Sequence, residues 1–197
     1  MRILHVGCGR KQLPASDLLA SVGLHIDEPL LPPVVWNLDA DGRLHPDLTY
    51  RLGDLDAPLP LADDSIDLVI AWHVLEHVGH QGEAAEWFRC WEELYRVLTP
   101  GGWLYAECPH YDSVWAWGDP THTRAMSAEA LYFFAQDSYR IPGNMISPYR
   151  IRCDFVPMAL NGMPDGVAVL PDPTNPRHAS LRFAVRAVKP LRPWWET

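Results

Sequence analysis

Three histidines, His73, His110 and His122, are the side chains in this sequence best suited to moving protons. His73 and His110 each follow an apolar run that has the composition of a buried strand. Imidazole changes charge near neutral pH, so a histidine at the end of a strand can act as a general base. We therefore take all three as catalytic candidates.

The segment after His73 contains a second histidine and a glutamate. His73 and His77 are four residues apart, so a helix here would place both on one face, directed toward the same cleft. The alternative is structural, a hydrogen-bonded pair formed by Glu76 and His77.

Asp119 and His122 form another group, which can bind a substrate or, together with His110, a metal ion. The structural alternative is a turn in which Asp119 accepts hydrogen bonds from the backbone. Neither this spacing nor the four scattered cysteines match a metal-ligand signature, so we expect no metal site.

Aromatic residues are dense between positions 105 and 139. Tyr132 and Phe133 have the helical spacing of core residues, whereas Trp115 and Trp117 lie in a loop-like segment. Such tryptophans can form the walls of a pocket for a planar or apolar small molecule.

The elements that must position these residues alternate between short apolar runs and helical segments. This alternation is typical of a parallel sheet covered by helices. Strands are predicted at 2–6, 34–38, 48–52, 66–71, 103–108, 151–156 and 181–188. Helices are predicted at 16–23, 82–98 and 127–136, and the proline-rich residues 157–176 are predicted to be an irregular loop.

The composition indicates one soluble globular domain. The 197 residues are enough to bury a core, and the formal net charge of −9 disfavours nucleic acid, whose phosphates attract lysine and arginine. No apolar run approaches the roughly 20 residues that span a bilayer, and no signal peptide precedes the first strand. Scattered cysteines fit a reducing cytoplasm, and homo-oligomerisation stays open.

A close pair of glycines follows the first predicted strand. Gly7, Cys8 and Gly9 form a tight turn whose backbone can approach a ligand. The same short pattern occurs in proteins that bind nicotinamide cofactors, although Gln12 stands where their third glycine would be.

Acidic residues follow the next two predicted strands. Asp39, with Asp41 as its rival, can accept hydrogen bonds from both hydroxyls of a ribose. Asp54 can accept from an adenine amino group while the backbone of Leu55 meets a ring nitrogen, and Asp56 is the alternative. Together these residues indicate a nucleotide-containing ligand.

Two longer segments make the interpretation specific. Residues 59–77 (LPLADDSIDLVIAWHVLEH) and 93–102 (ELYRVLTPGG) resemble the signature of class I S-adenosylmethionine-dependent methyltransferases of the type 11 kind. The order and spacing of all five segments match that family from residue 3 to about residue 108. Residues 118–122 (GDPTH) are similar to a segment found in a bacterial and phage subgroup.

The resemblance implies a Rossmann-like, doubly wound α/β domain. Its mostly parallel sheet would have seven strands, with an antiparallel last strand. Residues 1–197 would form one domain, with a cofactor-binding half at 1–108 and an acceptor-binding half at 109–197. The residues implied to bind S-adenosylmethionine are Gly7, Cys8, Gly9, Asp39, Ala40, Asp54, Leu55, Trp72 and His73.

The expected activity is transfer of a methyl group to an oxygen or nitrogen acceptor, a small molecule, with S-adenosylhomocysteine as the second product. The alternative is a catalytically inactive S-adenosylmethionine-binding or scaffold protein. His5 supports that alternative, because it stands where the family usually has an acidic residue. A nicotinamide dehydrogenase is disfavoured by the missing third glycine.

Overall fold

The computed structural model describes residues 1–7, 34–39, 50–52, 55, 57–144, 146–159, 163 and 165–196. Within them one sheet carries the strands β1 (Arg2–Val6), β2 (Val34–Asp39), β3 (Tyr50–Leu52), β4 (Ile66–Trp72), β5 (Leu98–Pro109), β6 (Phe155–Pro157), β7 (Val167–Asp172) and β8 (Asn175–Ala187). The α-helices are α1 (Ala84–Val97) and α2 (Val114–Gly118), and short 3-10 helices lie at Leu75–His77, Ala128–Phe134, Gln136–Arg140 and Trp194–Glu196.

The order of the strands is β3-β2-β1-β4-β5-β8-β6, and β7 also pairs with β8. Strands β1 to β5 are parallel, whereas β8 runs antiparallel to β5. The chain winds outward from β1 in both directions, which is the doubly wound arrangement. The predicted Rossmann-like fold with an antiparallel last strand is therefore confirmed. The predicted count of seven strands is not, because the described residues contribute eight.

The extra strand comes from residues that we expected to form an irregular loop. β7 and β8 form a hairpin in which Pro171 pairs with Ala179. At its turn, Asp172 Oδ1 accepts from the backbone N–H and the hydroxyl of Thr174, at 2.7 and 2.6 Å. Within the described residues β7 pairs only with β8, and an edge strand tolerates prolines because it has no second ladder to supply with N–H groups. The proline content therefore misled the prediction.

Helix α1 leads directly into β5. The predicted helix at 82–98 is confirmed as Ala84–Val97, and its buried residues recur at helical spacing: Trp87, Cys90, Trp91, Leu94, Tyr95 and Val97. The strand predicted at 103–108 starts earlier, at Leu98. Residues 100–102 (PGG) thus belong to β5, where the positive φ of Gly101 (76°) and a register shift against β4 accommodate them.

The region predicted as a helix at 127–136 forms a 3-10 helix, Ala128–Phe134. With three residues per turn, Leu131 and Phe134 share one buried face and Tyr132 turns outward, where it is 55% exposed. The expectation that Tyr132 belongs to the core was wrong for this reason. Phe133 is partly buried, as expected.

The remaining boundaries shift by a few residues. The strands predicted at 48–52, 151–156 and 181–188 are found at Tyr50–Leu52, Phe155–Pro157 and Asn175–Ala187. The helix predicted at 16–23 lies outside the described residues. Among the helices that the structure describes, none has both the length and the apolar character needed to cross a membrane.

Candidate active site

The carboxyl ends of β1, β2, β3 and β4 meet at one edge of the sheet. In β1, Val6 pairs with Leu38 of β2 on one side and with Ala71 of β4 on the other. Asp39, the last residue of β2, pairs in turn with Leu52 at the end of β3. Because the strand order reverses between β1 and β4, this edge contains the crevice where doubly wound sheets bind nucleotides.

Gly7 forms the turn at the centre of this crevice. Its φ is +63°, and a Cβ atom added to it would lie 2.6 Å from Cβ of Val74. Both the backbone conformation and the contact with the segment after β4 therefore require glycine. The predicted partners Cys8 and Gly9 lie outside the described residues.

The other predicted cofactor residues are only partly visible. Asp39 is placed by its backbone at the end of β2, one strand away from Gly7. Leu55 is buried, at 7% exposure, and belongs to the hydrophobic core. Ala40 and Asp54 lie outside the described residues. The ribose and adenine roles of these residues stay predictions.

Trp72 and His5 pack against each other beneath the end of β4. His5 is 2% exposed, and its ring meets the Trp72 ring edge-on, with centroids 5.5 Å apart. The residue that departs from the family pattern is thus a buried aromatic partner of Trp72.

His73 follows Trp72 in a left-handed conformation, with φ of 47°. Its backbone N–H donates to the carbonyl of Glu107 (2.8 Å), which ties the end of β4 to the end of β5. Its side chain is exposed, and Nδ1 lies 3.3 Å from Oε1 of Glu76.

His73 and His77 do not share an α-helix, contrary to expectation. The segment is a three-residue 3-10 helix, Leu75–His77, which His73 precedes. The His77 ring packs instead against the His122 ring, with centroids 4.8 Å apart. Glu76, which is 1% exposed, contacts His73 and lies 3.8 Å from His122 Nε2.

A cavity of about 590 Å³ opens beside these histidines. It is bounded by the ends of β4 and β5, by α2 and by the β7–β8 hairpin. Its lining residues are His73, His77, Glu107, Pro109, Ser113, Trp115, Asp119, His122, Leu170, Pro171, Asp172, His178, Ala179 and Ser180. Since His73 lines this cavity and directly follows β4, the cavity adjoins the nucleotide crevice.

Two of the three catalytic candidates line the cavity. His73 and His122 line it, whereas His110 does not. The His110 backbone N–H donates to Ala179 (2.9 Å), and its Nδ1 accepts from the backbone N–H of Asp112 (3.4 Å). His110 is therefore not on the cavity wall. Its catalytic role stays a prediction.

The two tryptophans predicted to wall a pocket, Trp115 and Trp117, have different surroundings. Trp115 lines the cavity, while Trp117 is 69% exposed and donates from Nε1 to the carbonyl of Tyr111. Both lie on α2 and not in the loop that we expected; Ser113 begins this helix by accepting from the N–H of Trp115.

Sequence reasoning missed the cavity residues on β5 and the hairpin. Glu107 accepts from Nε and Nη2 of Arg182, at 2.9 and 2.6 Å, and Asp172 Oδ2 lies 3.3 Å from Nδ1 of His178. The signal that could have found the hairpin is the apolar run at 167–170, followed by the turn-forming residues 172–175.

Burial excludes one further nucleophile. Cys108, at the end of β5, is fully buried, and burial raises the pKa of its thiol well above the usual value, with Glu76 and Glu107 acting in the same direction. The reactive thiolate is therefore not formed at neutral pH.

Comparison with known proteins agrees with this geometry. Residues 4–106 match the family described as methyltransferase domain. Over 138 residues, 66% of the chain, the sequence is 32% identical to a curated protein of Mycolicibacterium smegmatis named "Probable S-adenosylmethionine-dependent methyltransferase". The chain spans about half of that relative, 48% of its length.

Solved structures share the fold. An S-adenosylmethionine-dependent methyltransferase from Mesorhizobium loti superposes with a TM-score of 0.55 at 17% identity, covering 94% of this chain and 90% of the other. A second, from Methanosarcina mazei, gives a TM-score of 0.54 at 15% identity, covering 95% and 92%. At such identities the likeness concerns the fold alone.

Proposed function

The chain belongs to the S-adenosylmethionine-dependent methyltransferase family, and we propose that it transfers a methyl group to an oxygen or nitrogen atom of a small molecule. The observation that carries this proposal is the continuity between the nucleotide crevice at Gly7 and Asp39 and the cavity that begins at His73. A cofactor in the crevice and an acceptor in the cavity would meet at His73.

The residues at the crevice fit this cofactor. The turn at Gly7 carries no side chain and has a positive φ, so its backbone can lie close to the methionine part. Asp39 would accept hydrogen bonds from the ribose, and Trp72 with His73 would line the sulfonium region. When bound, S-adenosylmethionine supplies a methyl group already activated by the positive charge of its sulfur.

The protein's main contribution to catalysis is then the orientation of the acceptor. A volume of about 590 Å³ suits a small molecule. Correct alignment of two reactants can lower a barrier by roughly 7–11 kcal/mol. An acceptor that holds its proton tightly also needs a base, and His73 or His122 on the cavity wall can supply one, worth about 10²–10⁴-fold.

The first experiment is a calorimetric titration with S-adenosylmethionine, S-adenosylhomocysteine and NAD. We expect saturable binding of the first two and none of NAD. In Asp39→Ala, the loss of hydrogen bonds to a charged acceptor, roughly 1.5–3 kcal/mol, should weaken binding about 10–150-fold. The control Asp165→Ala changes an exposed aspartate on the far half of the chain and should bind like the wild type. Unchanged affinity in Asp39→Ala would remove Asp39 from the ribose role.

Turnover separates an enzyme from a scaffold. S-adenosylhomocysteine formation is measured against a panel of hydroxyl and amine compounds. We expect at least one acceptor to be methylated, with His73→Gln slower than the wild type and His110→Gln unchanged, since His73 lines the cavity and His110 does not. Binding of the cofactor with no turnover on any acceptor would favour the inactive binding protein, for which the buried His5 is the structural argument.

A further inference from the structure

We propose that Glu76, His77 and His122 bind a divalent transition-metal ion in the wall of the cavity. One carboxylate oxygen and one ring nitrogen from each histidine lie within 4.8 Å of one another. Metal binding itself needs no cofactor and does not depend on the proposed function. Only the effect of the ion on the methyl acceptor rests on that function.

Backbone carbonyls orient both histidines for this task. His77 Nδ1 lies 3.0 Å from the carbonyl oxygen of Thr121, and His122 Nδ1 lies 2.7 Å from that of Trp115. A carbonyl only accepts, so each Nδ1 carries the proton and donates it. With Nδ1–H held by a carbonyl, Nε2 is the ring nitrogen left to bind a metal ion, as in metal-binding histidines.

Two segments distant in sequence are locked together at the cluster. The backbone N–H groups of Thr123 and Arg124 donate to the backbone carbonyl of Glu76, at 2.9 and 3.0 Å. The Arg124 guanidinium donates further to the carbonyls of Val78, His80 and Glu83. The two segments that carry the three ligands are therefore held together independently of any ion.

The state of Glu76 points to a missing cation. The residue is 1% exposed, and in the part of the chain that the structure describes its Oε2 has no hydrogen-bond partner. A buried carboxylate oxygen without a partner destabilises a protein unless a charge or a donor compensates it. A divalent ion between Glu76 and the two Nε2 atoms would provide that compensation.

The donor set defines the class of ion. Two imidazoles and one carboxylate are typical of zinc sites that keep an open position, and related first-row ions accept the same set. Magnesium and calcium prefer oxygen ligands alone. Asp119 extends the set, because its Oδ2 lies 3.9 Å from His122 Nε2 while its Oδ1 accepts from Thr121.

The position of the cluster suggests what the ion does. His77, Asp119 and His122 all line the cavity, so an open coordination position faces the acceptor. A bound divalent ion orients a hydroxyl oxygen and lowers its pKa. The proposal therefore favours hydroxyl-bearing acceptors over amines.

A second group of potential ligands provides the control. His80, Glu83 and Glu86 also lie within reach of one another, but His80 and Glu83 are exposed and Glu86 only half-buried. A solvated group of this kind has no buried oxygen to compensate. His80→Gln should therefore leave tight binding unchanged.

The test is a calorimetric titration of chelator-treated protein with Zn²⁺ alone, and with Mg²⁺ in parallel. We expect one Zn²⁺ per chain and weak or absent Mg²⁺ binding. Even changes to groups around a metal ligand cost about 10–100-fold in affinity, so loss of a ligand in His77→Gln or His122→Gln should cost roughly 100-fold or more. Thermal unfolding without metal checks that each variant folds, and the visible spectrum of Co²⁺-loaded protein reports the coordination.

Three results would overturn the proposal. The wild type does not bind Zn²⁺, His77→Gln and His122→Gln bind it as tightly as the wild type does, or only His80→Gln loses binding. A titration of the same sample with S-adenosylmethionine keeps the two proposals apart. Zinc binding without cofactor binding would defeat the proposed methyl transfer alone, and cofactor binding without zinc binding would defeat the metal site alone.

Discussion

Residues 1–108 and residues 109–196 organise their buried parts by different means. In the first half, parallel strands bring the ends of β1, β2 and β4 together, and the decisive features are backbone features such as the turn at Gly7. In the second half, the β7–β8 hairpin pairs through its backbone, but the short 3-10 helices are held by side chains that bond to backbone groups. The match to the methyltransferase domain, residues 4–106, coincides with the first half.

Gln136 shows how the second half is held. The residue is fully buried, and its side-chain amide donates to the carbonyls of Ile151 and Cys153, at 2.9 and 2.8 Å, and accepts from the N–H of Trp194 (3.0 Å). Asp154, also buried, accepts from the Gln136 N–H and from Arg192. Such networks depend on individual side chains, so single substitutions in this half remove several hydrogen bonds at once.

The largest expected effect comes from breaking the contact between the halves. Phe134 stacks on Trp91 of α1 with ring centroids 3.9 Å apart and an angle of 9° between the planes. Removing a buried phenylalanine costs about 3–5 kcal/mol, so Phe134→Ala should lower the free energy of unfolding by that amount. Urea unfolding provides the measurement.

Tyr132→Ala is the matched control, since Tyr132 lies on the same 3-10 helix but is exposed. Its effect should stay within about 0.5 kcal/mol. Equal losses in the two variants would mean that the halves do not depend on this stack. A cooperative transition in the wild type that splits into two in Phe134→Ala would show that each half retains its own stability.

The next effect tests the backbone logic of the first half. Gly7→Ala adds a Cβ that meets Val74 at 2.6 Å and imposes a positive φ on alanine, so it should cost about 2–4 kcal/mol in unfolding free energy. Gly143→Ala imposes a similar φ, 76°, with open space around the new Cβ, and should cost only about 1–2 kcal/mol. If the two variants lose the same stability, the close contact with Val74 carries no weight.

The sequence predicts the first half well because its elements leave local signals. The apolar run at 66–71 and the amphipathic residues of α1 are periodic, and the structure places β4 and α1 within a few residues of the predicted bounds. β5 begins five residues early because residues 100–102 contain two glycines and a proline, which locally resemble a stop signal.

The candidate site is harder to predict, because its residues meet only through the fold. His77 and His122 come from segments far apart in sequence, and the 3-10 helix at Leu75–His77 turns His77 toward His122 and not toward His73. No periodicity encodes that contact. The sequence named His73, His110 and His122 as catalytic candidates without placing them together. The structure brings His73 and His122 to one cavity and leaves His110 off its wall.

The smallest expected effect concerns pH, and it has opposite signs in the two halves. Burial would raise the pKa of Asp67, but hydrogen bonds from the side chain and backbone N–H of Arg2 outweigh it and hold the pKa below its usual 3.8. Burial raises the pKa of Asp154 above 3.8, although the Gln136 N–H and Arg192 act against it.

These pKa shifts predict how the free energy of unfolding changes with pH on either side of pH 3.8. The stability that comes from Asp67 is present above pH 3.8 and is lost as the pH falls through the lowered pKa. Folded Asp154 binds its proton more tightly than the unfolded chain does, so its contribution is present below pH 3.8 and is lost as the pH rises through the raised pKa. Unfolding free energies measured across this range should lose the acid-side slope in Asp67→Asn and the opposite slope in Asp154→Asn. The Asp67 effect should be the weaker, because the Asp67 carboxylate is partly exposed and solvent screens its pair, whereas the Asp154 carboxylate is fully buried. If the unfolding free energies of the two variants depend on pH in the same way, both carboxylates are solvated alike. The two halves then do not differ in the electrostatics of these groups.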